Sequence, residues 1–279
     1  MCHHARDDST RDVRIHNGEL SVASPQRTFV IFIVLPAYNE AAALPRLLAR
    51  IAAVSDAHFG GGLRVILAND GSTDGTPDLA RAAADAHQLH LDILTHEVNR
   101  GLGEAIKTGL KGALERSTRD DDVIITMDSD DTHLPGLIPR MVMMIEEGND
   151  LVIASRYQHG SRMLGIPRYR QLLSTGLSWL FRIVYPIPGA RDYSCGYRAY
   201  RAGALRAAFD RFGDLLFVER GFACMVDILI KMHLAGATVN EAPMILRYDR
   251  KPGATKMPVK KTIVQTFRLL ARRRFGVMD

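Results

Sequence analysis

Cysteine is scarce: Cys2, Cys195 and Cys224 are the only three in 279 residues. They are too few and too scattered for a disulfide framework or a four-ligand zinc site, which points to a reducing compartment. No apolar run approaches the roughly 18 residues that would mark a transmembrane helix. The opening residues lack the apolar core of a signal peptide. These absences predict a soluble, cytoplasmic protein. Hydrophobic residues at 47% and charged residues at 24% exclude a disordered or collagen-like chain and allow one large α/β domain or two small ones.

What is present is unevenly divided. Residues 1–150 hold 14 Lys and Arg against 23 Asp and Glu, a net of −9, whereas residues 151–279 hold 22 against 8, a net of +14. A basic half implies an anionic partner: nucleic acid, an anionic membrane surface or a phosphorylated substrate. Nucleic acid is the least favoured, because the basic half lacks an aromatic stacking pattern or a nucleic-acid motif. A basic solvated face is the plainer alternative.

Residues 1–27 are polar and aperiodic and read as a disordered leader; the soft ligands Cys2, His3 and His4 are incidental there. From Thr28 to Leu35 a continuous β-branched and aromatic run predicts a strand buried on both faces and stopped by Pro36. A helical pattern follows over Glu40 to Val54, then a strand at Leu63 to Ala68, a helix at Thr76 to His87 and a strand at Leu91 to Thr95. A helix at Leu102 to Glu115, a strand at Val123 to Met127 and a short strand at Leu151 to Ala154 complete the pattern. Such alternation means βαβ units, hence a mostly parallel sheet with helices on both faces.

Ligands of such sheets bind beyond the carboxyl ends of the strands. Three strand ends carry polar punctuation there: Pro36-Ala-Tyr-Asn-Glu40, Asn69-Asp-Gly-Ser-Thr-Asp-Gly75 and Asp128-Ser-Asp130-Asp131. Asp128 and Asp130, brought together by a turn, suit a hard divalent cation that bridges to substrate phosphates. An isolated pair of this kind is more often an acidic turn, but the two other polar ends aimed at the same rim favour a metal. Asp131 reads as a helix cap or a solvent-facing carboxylate. Asp70, in a glycine-relieved loop, can accept a hydrogen bond from a nucleobase or ribose, and Asp74 caps the helix that opens at Thr76-Pro77. Asn99-Arg100-Gly101-Leu102-Gly103 lacks the spacing of a dinucleotide loop, so its glycines serve close packing.

The second half supplies cations. Arg156, after the strand at Leu151 to Ala154, should reach the same rim. Arg168, Arg170, Ser174 and Arg182 decorate an apolar stretch, Leu172 to Ile187, with Trp179, Phe181 and Tyr185. It reads equally as an interfacial amphipathic helix or a core-facing one. The loop Arg250-Lys-Pro-Gly-Ala-Thr-Lys256, with a cation at each end, can close over a diphosphate and balance its charge. Residues 258–279 predict a basic amphipathic helix, with Ile263, Val264, Phe267 and Leu270 on one stripe, fit for anionic lipid or a partner subunit.

Taken in order, these words resemble the family 2 glycosyltransferases of the GT-A fold, most closely the dolichol- or polyprenyl-phosphate mannosyltransferase branch. The words are Leu35-Pro-Ala-Tyr-Asn-Glu40, Asp70-Gly-Ser-Thr-Asp-Gly-Thr76, Gly101-Leu-Gly, Met127-Asp-Ser-Asp130 with His133-Leu-Pro135, Ser155-Arg-Tyr157, Asp192-Tyr-Ser-Cys-Gly-Tyr-Arg198 and Arg250 to Lys256. The resemblance implies a GT-A domain over residues 28–257, its nucleotide-binding half at about 28–150 and its acceptor half at about 151–257. It implies that Pro36, Tyr38, Glu40, Ala68 and Asp70 surround the nucleotide. Asp128, Ser129 and Asp130 would form the D-x-D element, with Asp128 and Asp130 holding Mg²⁺ or Mn²⁺. Arg156, Arg250 and Lys256 would hold phosphates, and Asp130, Arg156 and Lys256 would carry catalysis. Arg170 and Ser174 would meet a lipid phosphate.

Two positions depart from the pattern: Asn69 replaces a usual aspartate, and Thr132 a usual glutamine or serine. The activity implied is inverting transfer of a hexose, mannose from GDP-mannose, from a nucleotide-sugar to a polyprenyl phosphate. It would take place at the cytoplasmic face of a membrane, with amphipathic helices or an anchoring subunit for contact. The alternatives are another donor such as UDP-glucose, a hydroxyl acceptor with Asp131 or Asp192 as base, or a silent nucleotide-sugar-binding subunit.

Overall fold

The computed structural model describes residues 13–16, 19–22, 29–217, 221 and 223–250. Lys256 and the helix expected at 258–279 lie outside the described residues. Within the stretch expected to be an unstructured leader, β1 (Val13–His16) pairs antiparallel with β2 (Glu19–Val22). Asn17-Gly18 between them in the sequence is a hairpin signal that the aperiodic reading passed over.

The body alternates strands and helices as expected. In order come β3 (Ile31–Ala37), α1 (Leu44–Phe59), β4 (Leu63–Asn69), α2 (Thr76–Ala86), β5 (His90–Thr95), α3 (Leu102–Arg116) and β6 (Val123–Thr126). Then follow α4 (Ile138–Glu146), β7 (Leu151–Ser155), β8 (Arg162–Leu164), α5 (Arg168–Val184), β9 (Arg198–Arg201), α6 (Ala202–Phe212), α7 (Ala223–Leu234), β10 (Val239–Pro243) and β11 (Ile245–Arg247). A seven-stranded sheet runs β10-β7-β9-β6-β3-β4-β5, all parallel except β9, which is antiparallel to both β6 and β7.

Every residue of β6 and β7 is buried, as is nearly all of β3 and β4, because helices cover the sheet. α3 packs across β3, β4 and β6. A Cβ added at Gly109 of α3 would lie 2.3 Å from Val34 Cγ1, so this helix approaches the sheet as closely as a missing side chain allows. β3 does not stop at Pro36. Pro36 pairs with Ala68 of β4, but the ladder to β6 ends at Val34 opposite Thr126, as a residue without an N–H requires. The chain ends of β3 and β6 therefore part just where the polar loops begin.

Candidate active site

Two rim loops are joined side chain to backbone. The Asn39 N–H donates to Ser72 Oγ at 3.0 Å, and the Thr73 N–H donates back to Asn39 Oδ1 at 2.8 Å. The Glu40 N–H donates to Thr76 Oγ1 at 2.9 Å and the Ala41 N–H to Asp74 Oδ2 at 3.1 Å. Asn39 can face Ser72 and Thr73 because it adopts φ +56°, a left-handed conformation that asparagine tolerates. Asp74 also accepts the Thr76 N–H at 3.2 Å, but from one position before the N-cap, which is Gly75 rather than the expected Asp74. Burial would raise its carboxyl, yet the bonds from Thr76 and Ala41 outweigh that and hold it below the ordinary range. Tyr38 stands exposed at the tip.

Asp70 is buried, and the chain itself uses its carboxylate. Oδ1 accepts the Arg100 N–H and Oδ2 the Gly101 N–H, both at 2.8 Å, while His96 Nδ1 lies 2.8 Å from Oδ1 and His96 Nε2 2.8 Å from Thr108 Oγ1. These bonds tie the end of β4 to the start of α3 and fix the direction of the Asp70 carboxylate. Gly71 makes the approach possible, since a Cβ there would lie 2.6 Å from the Val98 carbonyl carbon. Asn69, where an aspartate was expected, accepts the Ser72 N–H at 3.2 Å through Oδ1. Ala68 is fully buried opposite Pro36.

The D-x-D segment leaves the end of β6 beside these loops. Ser129 Oγ donates to the Pro36 carbonyl at 2.8 Å, which pins the turn to β3. Asp130 is buried, with Oδ1 accepting from Thr132 Oγ1 at 2.7 Å and from the Thr132 N–H at 3.2 Å. Asp128 is the more open of the two, its side chain 36% exposed. Its N–H donates to His133 Nδ1 at 3.1 Å, so that ring carries its proton on Nε2, 3.7 Å from Asp128 Oδ2. His133 stacks on Tyr197 with centroids 5.2 Å apart. Gly196 lies over the same carboxylate: a Cβ there would be 3.2 Å from Asp128 Oδ1.

Among the described residues no cluster of three or more His, Cys, Asp and Glu could hold a metal by protein ligands alone. One open and one oriented carboxylate instead fit a Mg²⁺- or Mn²⁺-diphosphate, in which phosphate oxygens and water complete the sphere.

Asp131 is neither a helix cap nor solvent-facing. It is fully buried at φ +62°, and Arg50 of α1 donates to its Oδ1 at 2.5 Å. The partners are 81 residues apart, a distance over which sequence spacing carries no signal.

Arg156 follows β7 to the rim as expected, with Nε and Nη2 engaged by neighbouring side chains and its side chain 19% exposed. Its backbone N–H and Nε donate to Asp192 Oδ2 at 3.0 and 2.7 Å, and Nη2 donates to Asp192 Oδ1 at 2.6 Å and to Ser194 Oγ at 2.8 Å. Burial would raise the Asp192 carboxyl, but the charge and hydrogen bonds of Arg156 outweigh it and hold it below its ordinary value. The same pairing outweighs burial in the other direction for Arg156. Glu241 of β10 secures the segment from behind, its Oε1 accepting the Arg191 and Asp192 N–H groups at 2.5 and 2.6 Å. Arg198, fully buried, donates to the carbonyls of Tyr193, Cys195 and Met225. Glu241 and the role of Arg198 escaped sequence reasoning, because a lone acid in a short edge strand and the arginine that opens β9 carry no local pattern.

The remaining cationic residues gather at the start of α5. Tyr157 and Ser174 share a hydroxyl–hydroxyl bond that ties the β7 loop to α5. Arg170 lies half-buried by Tyr169 and Tyr248, hydrogen bonds that favour its charged form. Arg247 of β11 donates its N–H to the Thr132 carbonyl at 3.0 Å, so the short 3-10 turn Tyr248–Arg250 starts beside the D-x-D loop and carries Arg250 with it. α5 turns Phe181 and Ser178 inward and leaves Tyr169, Leu172, Leu173, Trp179 and Ile183 exposed, Leu172 and Ile183 at 74% each. The core-facing reading holds along one side, and the other side exposes an apolar surface. No helix among the described residues is long and apolar enough to cross a membrane.

Comparison with known proteins agrees with this arrangement. The model of the family described as glycosyl transferase family 2 matches residues 32–209. The undecaprenyl-phosphate mannosyltransferase of Micrococcus luteus is 34% identical over 81% of this chain and 87% of its own length. The polyprenol monophosphomannose synthase of Mycolicibacterium smegmatis is 31% identical over 85% and 83%. In structure, glucosyl-3-phosphoglycerate synthase from Mycobacterium tuberculosis, solved with Mn²⁺, UDP and phosphoglyceric acid, superposes with a TM-score of 0.61 at 20% identity, covering 90% of this chain and 80% of that one.

Proposed function

The chain belongs to glycosyl transferase family 2 and is a glycosyltransferase, and from that premise we propose that it transfers mannose from GDP-mannose to a polyprenyl phosphate with inversion at the sugar carbon. The observation that carries the choice of acceptor is the state of the two carboxylates a hydroxyl acceptor would need as base. Asp131 is fully buried against Arg50 and Asp192 against Arg156, so neither carboxylate opens onto the rim. A phosphate acceptor is already anionic at neutral pH and needs no such base. A silent binding subunit would need no oriented D-x-D pair.

In this reading an acceptor phosphate oxygen attacks the anomeric carbon as the bond from that carbon to the diphosphate breaks, and the electron pair leaves with the nucleoside diphosphate. Asp128 and Asp130 hold Mg²⁺ or Mn²⁺, which when bound supplies positive charge to the departing diphosphate. Thr132 fixes the direction of the Asp130 carboxylate. The loops bearing Pro36, Tyr38, Glu40, Ala68 and Asp70 cradle the nucleotide, with Asp70 acting through the backbone of Arg100 and Gly101. With Arg156 paired to Asp192, the net charge that meets phosphates falls to Arg250, Lys256 and, on the acceptor side, Arg170 near Ser174. Catalysis is then positioning and electrostatics.

The chain works at the cytoplasmic face of a membrane, reached through the exposed apolar side of α5 with a basic helix or an anchoring subunit assisting. The test is incubation of purified protein with Mg²⁺ or Mn²⁺, a short-chain polyprenyl phosphate and a panel of GDP- and UDP-sugars, with glycolipid read by mass spectrometry. A mannosyl phospholipid from GDP-mannose supports the proposal. Donor binding without product across all phosphate acceptors would overturn it.

A further inference from the structure

Beyond the rim, an open cleft of about 750 Å³ lies at the β10 edge of the sheet, lined among others by Trp179, Arg182, Ile183, Arg191, Tyr193 and Asn240. Its walls are built rather than incidental. Ser178 Oγ donates to the Arg191 carbonyl at 2.6 Å, and Phe181 stacks on Tyr193 with centroids 5.2 Å apart. Tyr193 Oη joins the Tyr185 carbonyl at 2.8 Å to the Ile187 N–H at 3.0 Å. Gly189, at φ +83°, lies so close to β10 that a Cβ would overlap the Val239 carbonyl. These contacts hold α5 and the 185–193 loop at a set separation.

The cleft is lined by two arginines, and the carboxylate behind its wall, Glu241, is turned to the Arg191 and Asp192 backbone N–H groups. No Asp or Glu is among its lining residues, and no carboxylate among the described residues forms an ion pair with Arg182 or Arg191. The Arg182 guanidinium lies over the Trp179 ring, 4.7 Å from its centroid, which orients the fork and leaves its edge donors open. Trp179 and Ile183 belong both to this cleft and to the exposed apolar side of α5. An occupant must therefore be anionic at one end and continuous with an apolar phase at the other.

We propose that the cleft is a docking site for the headgroup of an anionic bilayer phospholipid, separate from the acceptor phosphate, and that it sets the attitude of α5 on the membrane. The two arginines take the phosphate as bidentate donors, and the acyl chains leave along Ile183 and Leu172 into the bilayer. This deepens the membrane reading above and rests on it.

Trp179 is the only tryptophan of the chain, so its emission reports on the cleft directly. Titration of the full chain with dihexanoyl phosphatidylglycerol below its micellar concentration is expected to give a saturable change, with at least tenfold weaker response to dihexanoyl phosphatidylcholine. The variant R182Q/R191Q should lose at least tenfold in affinity for the anionic lipid while keeping transfer to a short-chain acceptor in detergent within twofold. On vesicles its preference for 30% phosphatidylglycerol over pure phosphatidylcholine should be reduced at least threefold relative to wild type.

Equal response to the two headgroups, wild-type affinity in R182Q/R191Q, or the same saturation by inorganic phosphate would each overturn the proposal while leaving membrane contact through α5 intact. Failure of wild type to sediment with either vesicle would remove the membrane reading itself.

Discussion

The two halves of the rim are built by different means. On the nucleotide side the loops after β3 and β4 are joined by side-chain-to-backbone hydrogen bonds, Asn39 with Ser72 and Thr73, Thr76 with Glu40 and Asp74 with Ala41, without an ion pair between them. On the acceptor side order comes from buried charge, with Arg156 on Asp192, Glu241 behind it and Arg198 among carbonyls. The halves differ in net charge too, −9 before residue 150 and +14 after it. An acidic, pre-joined half suits a metal-bound donor that must be held in one pose, and a basic half suits anions arriving from a surface. Backbone-directed hydrogen bonds and a buried ion pair respond differently to loss of one partner, so the halves should fail by different amounts.

The largest effect should come from the junction of the two. Asp130→Ala is expected to lower turnover by roughly 10³-fold or more, with an unchanged far-UV spectrum and melting point, read by glycolipid formation. Next, Asp192→Asn leaves the buried Arg156 cation without its partner and should cost about 3–5 kcal/mol in urea unfolding, with a loss of acceptor-side activity. Its pH dependence sharpens the contrast. Asp192 is held below the ordinary carboxylate value, so its stabilisation is fully present above that value and is lost as pH falls through the lowered one. The stability gap between wild type and Asp192→Asn should therefore persist from pH 7 down to about pH 4 and close only below it.

On the nucleotide side a milder change is expected. His96→Asn breaks the link from Asp70 to Thr108 and should raise the donor KM about tenfold with kcat within twofold, because the loop is loosened and the reacting groups are not touched. The smallest effect lies in the packing beneath. Gly109→Ala forces Val34 to move and should destabilise by about 1–3 kcal/mol in thermal or urea unfolding, without changing either substrate's KM.

The same contrast explains what could be read from sequence. β3, β4, β6 and β7 were legible because a strand buried on both faces must be a continuous apolar run. The rim position of Asp128, Asp130 and Arg156 followed from their place after those strands. β9 was missed, since Arg198–Arg201 has neither a run nor an alternation, yet it is the antiparallel strand that brings Gly196 over Asp128. α7 was missed because ten of its twelve residues are buried, which erases the amphipathic stripe that marks a helix. The ion pairs Arg50–Asp131 and Arg156–Asp192 join residues 81 and 36 apart, and only the fold can report them. The bonds of Asp70 were illegible for a related reason: the loop that meets its carboxylate lies 30 residues on.

A phosphate acceptor lets the site work without a carboxylate base, and an alcohol acceptor does not. The direct test offers the purified chain one donor, GDP-mannose with Mg²⁺ or Mn²⁺, and two acceptors of equal chain length, a polyprenyl phosphate and the corresponding polyprenol. Products are resolved by mass spectrometry. Mannosylation of the phosphate alone is the predicted result; a mannosylated alcohol formed at a comparable rate would contradict it.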